Sequence, residues 1–163
     1  MKKIYLMRHA KAEQENYDRD YERDLNAKGE QEIKDMLKRL SARDFKVEKI
    51  ISSAALRTTR TARLLAKGLN FDEKNIIFEK ALYEASCRGL FEFIKGLDDA
   101  FNECLIVGHN PAMRELCELL SKSTLSSFPT TSIFGLEFEE ESFANIKAHS
   151  GKLLFFEHIK GLK

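Results

Sequence analysis

Arg8-His9, Arg57 and Gly108-His109-Asn110 are the residues of this 163-residue sequence whose types and placement could do chemistry together. Each lies at or just beyond the end of a short strand-like run: residues 3–7, 49–52 and 104–107. In an open α/β sheet, ligands bind beyond the carboxyl ends of the strands, so the three segments would converge on one crevice. Two arginines and two histidines there make a poor metal site, because permanently charged guanidiniums repel a divalent cation. They make a good phosphate site, because the arginine fork matches two phosphate oxygens at once. A neutral imidazole beside bound phosphate could act as a nucleophile. The arginines favour that neutral form by opposing protonation, while a bound phosphate dianion pulls the other way.

The elements that must position these residues alternate. Lys3-Ile4-Tyr5-Leu6-Met7 predicts a strand, and residues 11–24 a long, charged loop with room for a helical turn. Ile33, Met36, Leu37 and Leu40 recur at helical spacing, so a helix is expected over residues 27–43. A strand over 49–52, a helix over 55–69 ending near Gly68, a strand over 75–79 and a helix over 90–97 follow. The apolar run 104–107 predicts a fourth strand, and Pro111 suits the first turn of a helix reaching Leu120. Three more strands are expected over 133–138, 143–149 and 152–159. Alternating βα units followed by hairpins predict an α/β fold, a three-layer α/β/α sandwich with a mostly parallel central sheet.

Bulk composition narrows the function classes. Lys plus Arg number 27 against 26 Asp plus Glu, a balance that argues against a broad nucleic-acid or anionic-membrane surface. No apolar run approaches a membrane span, and residues 4–7 are too short for the core of a signal peptide, so a cytoplasmic protein is expected. Cys87, Cys104 and Cys117 share no CxxC spacing and read as reduced packing residues. With no repeat, linker or low-complexity tract, residues 1–163 are expected to form one domain, by default a monomer. His149 and His158 match no motif and read as surface or packing residues. The charged run over 18–24 reads as a solvated loop bordering the pocket mouth.

Other phosphate chemistries lack their residues. A cysteine phosphatase needs Arg six positions after Cys, and those positions hold Phe93, Asn110 and Ser123. Asp18-Arg19-Asp20 has the letters of an aspartyl-phosphate motif but sits well into a loop, while the first strand ends in Arg-His. Companion acids for a two-metal site and the glycine spacing of a P-loop are both missing.

Five segments, in order, carry a resemblance. Leu6-Met7-Arg8-His9-Ala10 is similar to the RHG/RHA signature of the histidine phosphatase superfamily, whose fold is phosphoglycerate-mutase-like. Asp24-Leu25-Asn26-Ala27-Lys28-Gly29 is similar to the segment that follows it, with Asp24 where the family usually has proline. Ser53-Ala54-Ala55-Leu56-Arg57-Thr58-Thr59-Arg60-Thr61-Ala62, Leu82-Tyr83-Glu84 and Gly108-His109-Asn110-Pro111 resemble its later blocks. Phe128-Pro129-Thr130-Thr131-Ser132 and the short length further resemble the SixA-type phosphohistidine phosphatases, compact members acting in bacterial phosphorelays.

The resemblance implies that His9 is the nucleophile, that Arg8 and Arg57 clamp the phosphoryl oxygens, and that His109 donates a further hydrogen bond. Glu84 stands where many members keep a proton donor, a surface carboxylate being the alternative reading. Arg23 stands at a basic position bordering the phosphate pocket. The implied reaction needs no metal or other cofactor. The implied partner is a phosphohistidine-bearing phosphotransfer protein, with a small phosphomonoester as the alternative substrate; a module that binds phosphate without turnover is the reading outside enzymology.

Overall fold

The computed structural model describes residues 1–14 and 19–159, so residues 15–18 of the expected loop lie outside it. Six strands, β1 (Lys2–Arg8), β2 (Lys49–Ser53), β3 (Ile77–Glu79), β4 (Glu103–Gly108), β5 (Ile133–Phe138) and β6 (Lys152–Glu157), form one sheet. Its order is β3-β2-β4-β1-β5-β6. The first four positions run parallel, while β5 is antiparallel to both β1 and β6. Helices α1 (Ala27–Ala42), α2 (Leu56–Gly68), α3 (Cys87–Lys95) and α4 (Ala112–Leu120) cover the two faces.

Strand β1 is buried on both faces, which is why it reads as an unbroken apolar run. Tyr5 and Met7 pack with Met36 and Leu40 of α1 and with Ala62, Leu65 and Ala66 of α2. Ile4 and Leu6 point the other way, into a core with Leu90 and Ile94 of α3 and Met113, Leu116 and Leu120 of α4. The three-layer α/β/α arrangement with a mostly parallel sheet is therefore as the alternation implied.

Register decides what the sheet presents. Arg8 lies level with Gly108, and Ser52 with Val107. His9, Ser53 and His109 thus leave the sheet at nearly the same height. Helix α1 starts where the Asn26 side chain accepts from the Gly29 N–H at 2.8 Å, an N-cap that satisfies a free helix-end donor. Gly29 is required there by close approach: a Cβ would sit 2.1 Å from the Lys11 carbonyl oxygen. The first turn of α1 is thereby pressed against the chain leaving β1.

Several expected boundaries shift. Helix α3 begins earlier than residue 90, because the Ser86 side chain caps it by accepting from Gly89 N at 3.0 Å. Residues 73–75 form a 3-10 turn, so β3 is shorter than expected. The strand expected over 143–149 is not formed; Phe143–Asn145 is a 3-10 turn. Asp99 accepts from the Phe143 N–H and Ser142 Oγ accepts from Ala144 N, so side chains take the backbone groups a strand would use. Phe143 and Ile146, the buried pair, are three residues apart, which suits the turn and not a strand. Cys104 and Cys117 are buried, Cys87 is half-buried, and all three are unpaired. Among the described residues, no helix is long and apolar enough to cross a membrane.

Replacing Gly29 by alanine forces backbone to move, so Gly29→Ala is expected to lower stability by about 1–3 kcal/mol in chemical denaturation. Gly96→Ala is the contrast: its Cβ would meet nothing closer than 3.6 Å. That substitution is expected to change stability by less than about 1 kcal/mol.

Candidate active site

The three segments do converge. Arg8 ends β1, and its neighbour His9 donates its backbone N–H to the Gly108 carbonyl at 3.1 Å, tying it to β4. The His9 and His109 ring centres lie 5.5 Å apart. Arg57, on the first turn of α2, is 5 % exposed, so its charge is delivered from inside the protein. With Lys11, Ala12, Arg23, Asn110 and Thr130, these residues line a pocket of about 220 Å³.

The hydrogen bonds set the roles of the imidazoles. His9 Nδ1 lies 2.7 Å from its neighbour's carbonyl, Ala10 O, which can only accept. Nδ1 therefore carries the proton, and the Nε2 lone pair is free to attack. His9 is 7 % exposed, and its pKa is pushed down to about 3, first by burial and then by the charges of His109, Arg57 and Arg8; the bond to Ala10 opposes the shift. His109 Nε2 lies 2.8 Å from Ser53 Oγ. Ser53 Oγ accepts from Ala55 N and keeps a hydroxyl hydrogen that can go to His109 Nε2, the arrangement in which Nδ1–H is a donor. Burial, then Arg57, lowers the His109 pKa to about 4.

Among the described residues, Arg8 Nε, Arg57 Nε, His109 Nδ1 and Ser132 Oγ are buried without a hydrogen-bond partner, and the first three belong to residues that line this pocket. Buried polar groups are nearly always satisfied, so three orphaned donors around one pocket call for an acceptor that is itself rich in oxygen. A tetrahedral oxyanion meets that need, and His9 Nε2 belongs to the same pocket.

The supports come from several elements. Arg8 Nη1 donates to Phe128 O at 3.1 Å, and Asn110 Nδ2 donates to the same carbonyl at 2.9 Å. Glu32 of α1 is 4 % exposed and accepts from Lys11 N at 3.0 Å, Thr130 Oγ1 at 2.9 Å and Thr131 Oγ1 at 2.9 Å. Its charge favours the Arg8 cation against the burial that lowers the Arg8 pKa. Thr131 sits at φ 69°, a costly conformation for a β-branched residue. It is held there by its N–H to Arg8 O and His9 O and by Glu32.

Arg23 reaches the pocket wall but is engaged: Nε pairs with Asp20 at 2.9 Å and Nη1 donates to Glu13 O at 3.0 Å. Glu84 is exposed and lies outside the phosphate pocket, on an adjoining cavity of about 270 Å³ that shares His109 and Asn110. It is Tyr83, its neighbour, whose hydroxyl reaches inward, donating to Asp20.

Within the charged run, which borders the pocket through Arg23, Asp20 is tied to other side chains while its own stays 34 % exposed. Its carboxylate accepts from Tyr83, Arg57 and Arg23, and the Tyr83 bond and then the two guanidiniums hold its pKa below the usual carboxylate range. The spacing of Asp20 and Arg23, opposite charges three residues apart, was the available signal. Nothing in the sequence pointed to Glu32 as the partner of Thr130 and Thr131.

The sequence profile described as histidine phosphatase superfamily (branch 1) matches residues 4–92, more than half of the chain. The chain belongs to that superfamily. The match takes in Arg8, His9, Arg57 and Glu84 and stops before His109. No curated protein matches the sequence.

Among solved structures, one similar protein is a phosphohistidine phosphatase SixA, so assigned, from Agrobacterium tumefaciens. It is 25 % identical with a TM-score of 0.81, over 97 % of this chain and 98 % of that one. A protein histidine phosphatase SixA complexed with tungstate is 20 % identical with a TM-score of 0.79, over 94 % and 95 %. A similarly assigned SixA from Nakamurella multipartitia is 19 % identical with a TM-score of 0.77, over 96 % and 95 %. These likenesses establish the histidine-phosphatase fold over nearly the whole length.

The shifts on the two imidazoles predict a titration. Both rings are expected to remain neutral at about pH 5.5, where an ordinary histidine is mostly protonated. The unfolded chain binds those protons near pH 6.5 and the folded chain only near 3 and 4. Their neutral form therefore contributes stability fully above pH 6.5, and that contribution is lost as the pH falls through about 4 and then about 3. Nitrogen-15 NMR of the imidazoles checks this, with His9 expected as the Nδ1–H tautomer; protonation of either ring near pH 6.5 would contradict it.

Proposed function

We propose that the protein is a metal-independent phosphohistidine phosphatase of the SixA type, acting on phosphohistidine carried by a partner protein in phosphorelay signalling. The observation that carries this reading is the set of three nitrogens unpartnered among the described residues, Arg8 Nε, Arg57 Nε and His109 Nδ1, on residues that line one pocket with His9.

In this reaction the His9 Nε2 lone pair forms a bond to phosphorus as the bond to the substrate nitrogen breaks. The departing imidazole leaves as a neutral ring when its remote nitrogen carries a proton, which happens near pH 6.5. Positive charge arising on His9 is stabilised by the Nδ1–H bond to Ala10 O. The three donors meet charge on the equatorial oxygens, the largest contribution expected at a phosphoryl centre. Water then attacks the phosphohistidine, releasing phosphate and restoring His9.

The position of Glu84 bears on the substrate. An alkoxide leaving group needs an acid poised beside it, whereas Glu84 is exposed and outside the phosphate pocket. An imidazole leaving group does not need that help. The second reading, a phosphomonoesterase using Glu84 as its acid, is favoured by the sharing of His109 between the two cavities.

Phosphate release from a phosphohistidine protein, with chelator present, is expected for wild type and should vanish in His9→Ala. Glu84→Gln is expected to change that rate by less than about threefold, whereas a general acid is worth about 100-fold or more. Faster release from a simple phosphomonoester, lost in Glu84→Gln, would favour the second reading. Tight phosphate binding without release from either substrate would leave a module that only reads phosphate.

A further inference from the structure

We propose that Asp20 is a positioning residue that holds Arg57 by its Nη groups and so reserves Nε for a phosphoryl oxygen. This deepens the reading of the pocket as a phosphate site and rests on it. Asp20 opens the 3-10 turn Asp20–Glu22, which leads into Arg23 of the pocket lining. Arg57 Nη1 donates to its carbonyl oxygen at 2.8 Å, and Nη2 pairs with Oδ2 at 3.2 Å. Oδ2 also accepts from the Tyr83 hydroxyl, and Oδ1 accepts from Arg23 Nε at 2.9 Å. One aspartate therefore joins three side chains from α2, the turn after β3 and its own loop.

Two opposite consequences can be drawn from a carboxylate on a phosphate-binding arginine. It could stand in for phosphate and have to be displaced, or it could fix the guanidinium before phosphate arrives. The atom left over decides between them. A stand-in would occupy the donor that the ligand needs, yet the Arg57 atom left without a partner among the described residues is Nε, and Arg8 and His109, which line the same pocket, each hold an unpartnered nitrogen too. Asp20 takes the opposite edge. A free arginine side chain has several rotatable bonds, and ordering it in advance lowers the cost of binding.

Asp20→Ala and Asp20→Asn separate placement from charge. Asparagine keeps an oxygen to accept from Arg57 Nη2 and Tyr83 but turns its NH2 toward Arg23 and gives up that contact; alanine keeps only the backbone contact to Nη1. Inorganic phosphate is titrated into the full chain by calorimetry, which needs no turnover. Asp20→Ala is expected to bind phosphate about tenfold more weakly, the scale of a misplaced binding group. Asp20→Asn is expected to bind as tightly as wild type or more tightly, because a nearby negative charge is gone. Asp24→Asn is the control, since Asp24 lies on the same loop but pairs with Arg60 at 2.6 Å. Asp20→Ser, too short to reach Arg57, repeats the truncation if alanine does not yield folded protein.

Tighter binding by Asp20→Ala would overturn the proposal in favour of a displaced stand-in. Unchanged binding, or equal weakening in Asp20→Asn and Asp20→Ala, would also overturn it. Absence of phosphate binding by wild type would overturn the phosphate-site reading itself, and this proposal with it.

Discussion

The parallel pairing of β1 with β4 is the constraint on which the site depends. It sets Arg8 level with Gly108 and lets the His9 N–H bond the Gly108 carbonyl, so the next residues of both strands emerge side by side. A one-residue slip would turn every side chain of β1 to the other face. Tyr5 and Met7 would then face α3 and α4, and Ile4 and Leu6 would face α1 and α2, against the two differently shaped cores that receive them. Core packing in the middle of β1 thereby fixes the chemistry at its end.

Once the pairing is set, electrostatics follows. Burial of His9 and His109 beside Arg8 and Arg57 makes the neutral imidazole the stable form, and the neutral ring is the form able to act as a nucleophile. Buried cations must be balanced, and two carboxylates contribute to that. Glu32 is buried, ordering Thr130 and Thr131 and favouring the Arg8 cation. Asp20 gathers Arg57, Arg23 and Tyr83. The nitrogens of Arg8, Arg57 and His109 left without a partner among the described residues would meet a ligand in a site organised in advance. Such preorganisation is what makes donors effective at a phosphoryl centre.

The residues at the strand ends were legible because strand runs and the sheet-end rule act locally: Arg8, His9, Arg57 and His109 could be placed together from pattern alone. The layers were legible for the same reason, since β1 and β4 are apolar without alternation and α1 shows helical spacing. Residues 143–149 were misread because aromatic and aliphatic residues suggested a strand, while Asp99, 44 residues earlier, captures the Phe143 N–H. Asp20 and Glu32 were hidden for a related reason. Each carboxylate owes its role to partners distant in sequence, and in isolation each reads as one more charge on a loop or helix. Glu84 drew attention by its place in a motif, yet Tyr83 beside it makes the inward contact.

The most direct test of this account is whether His9 carries the phosphoryl group during turnover. Wild-type protein mixed with a phosphohistidine-bearing protein and quenched within milliseconds should yield a phosphoenzyme that is acid-labile and alkali-stable, with the label mapping to the peptide containing His9. His109→Ala should form it more slowly without moving the label. Turnover with no phosphoenzyme, or a label on any other residue, would contradict the account at its centre.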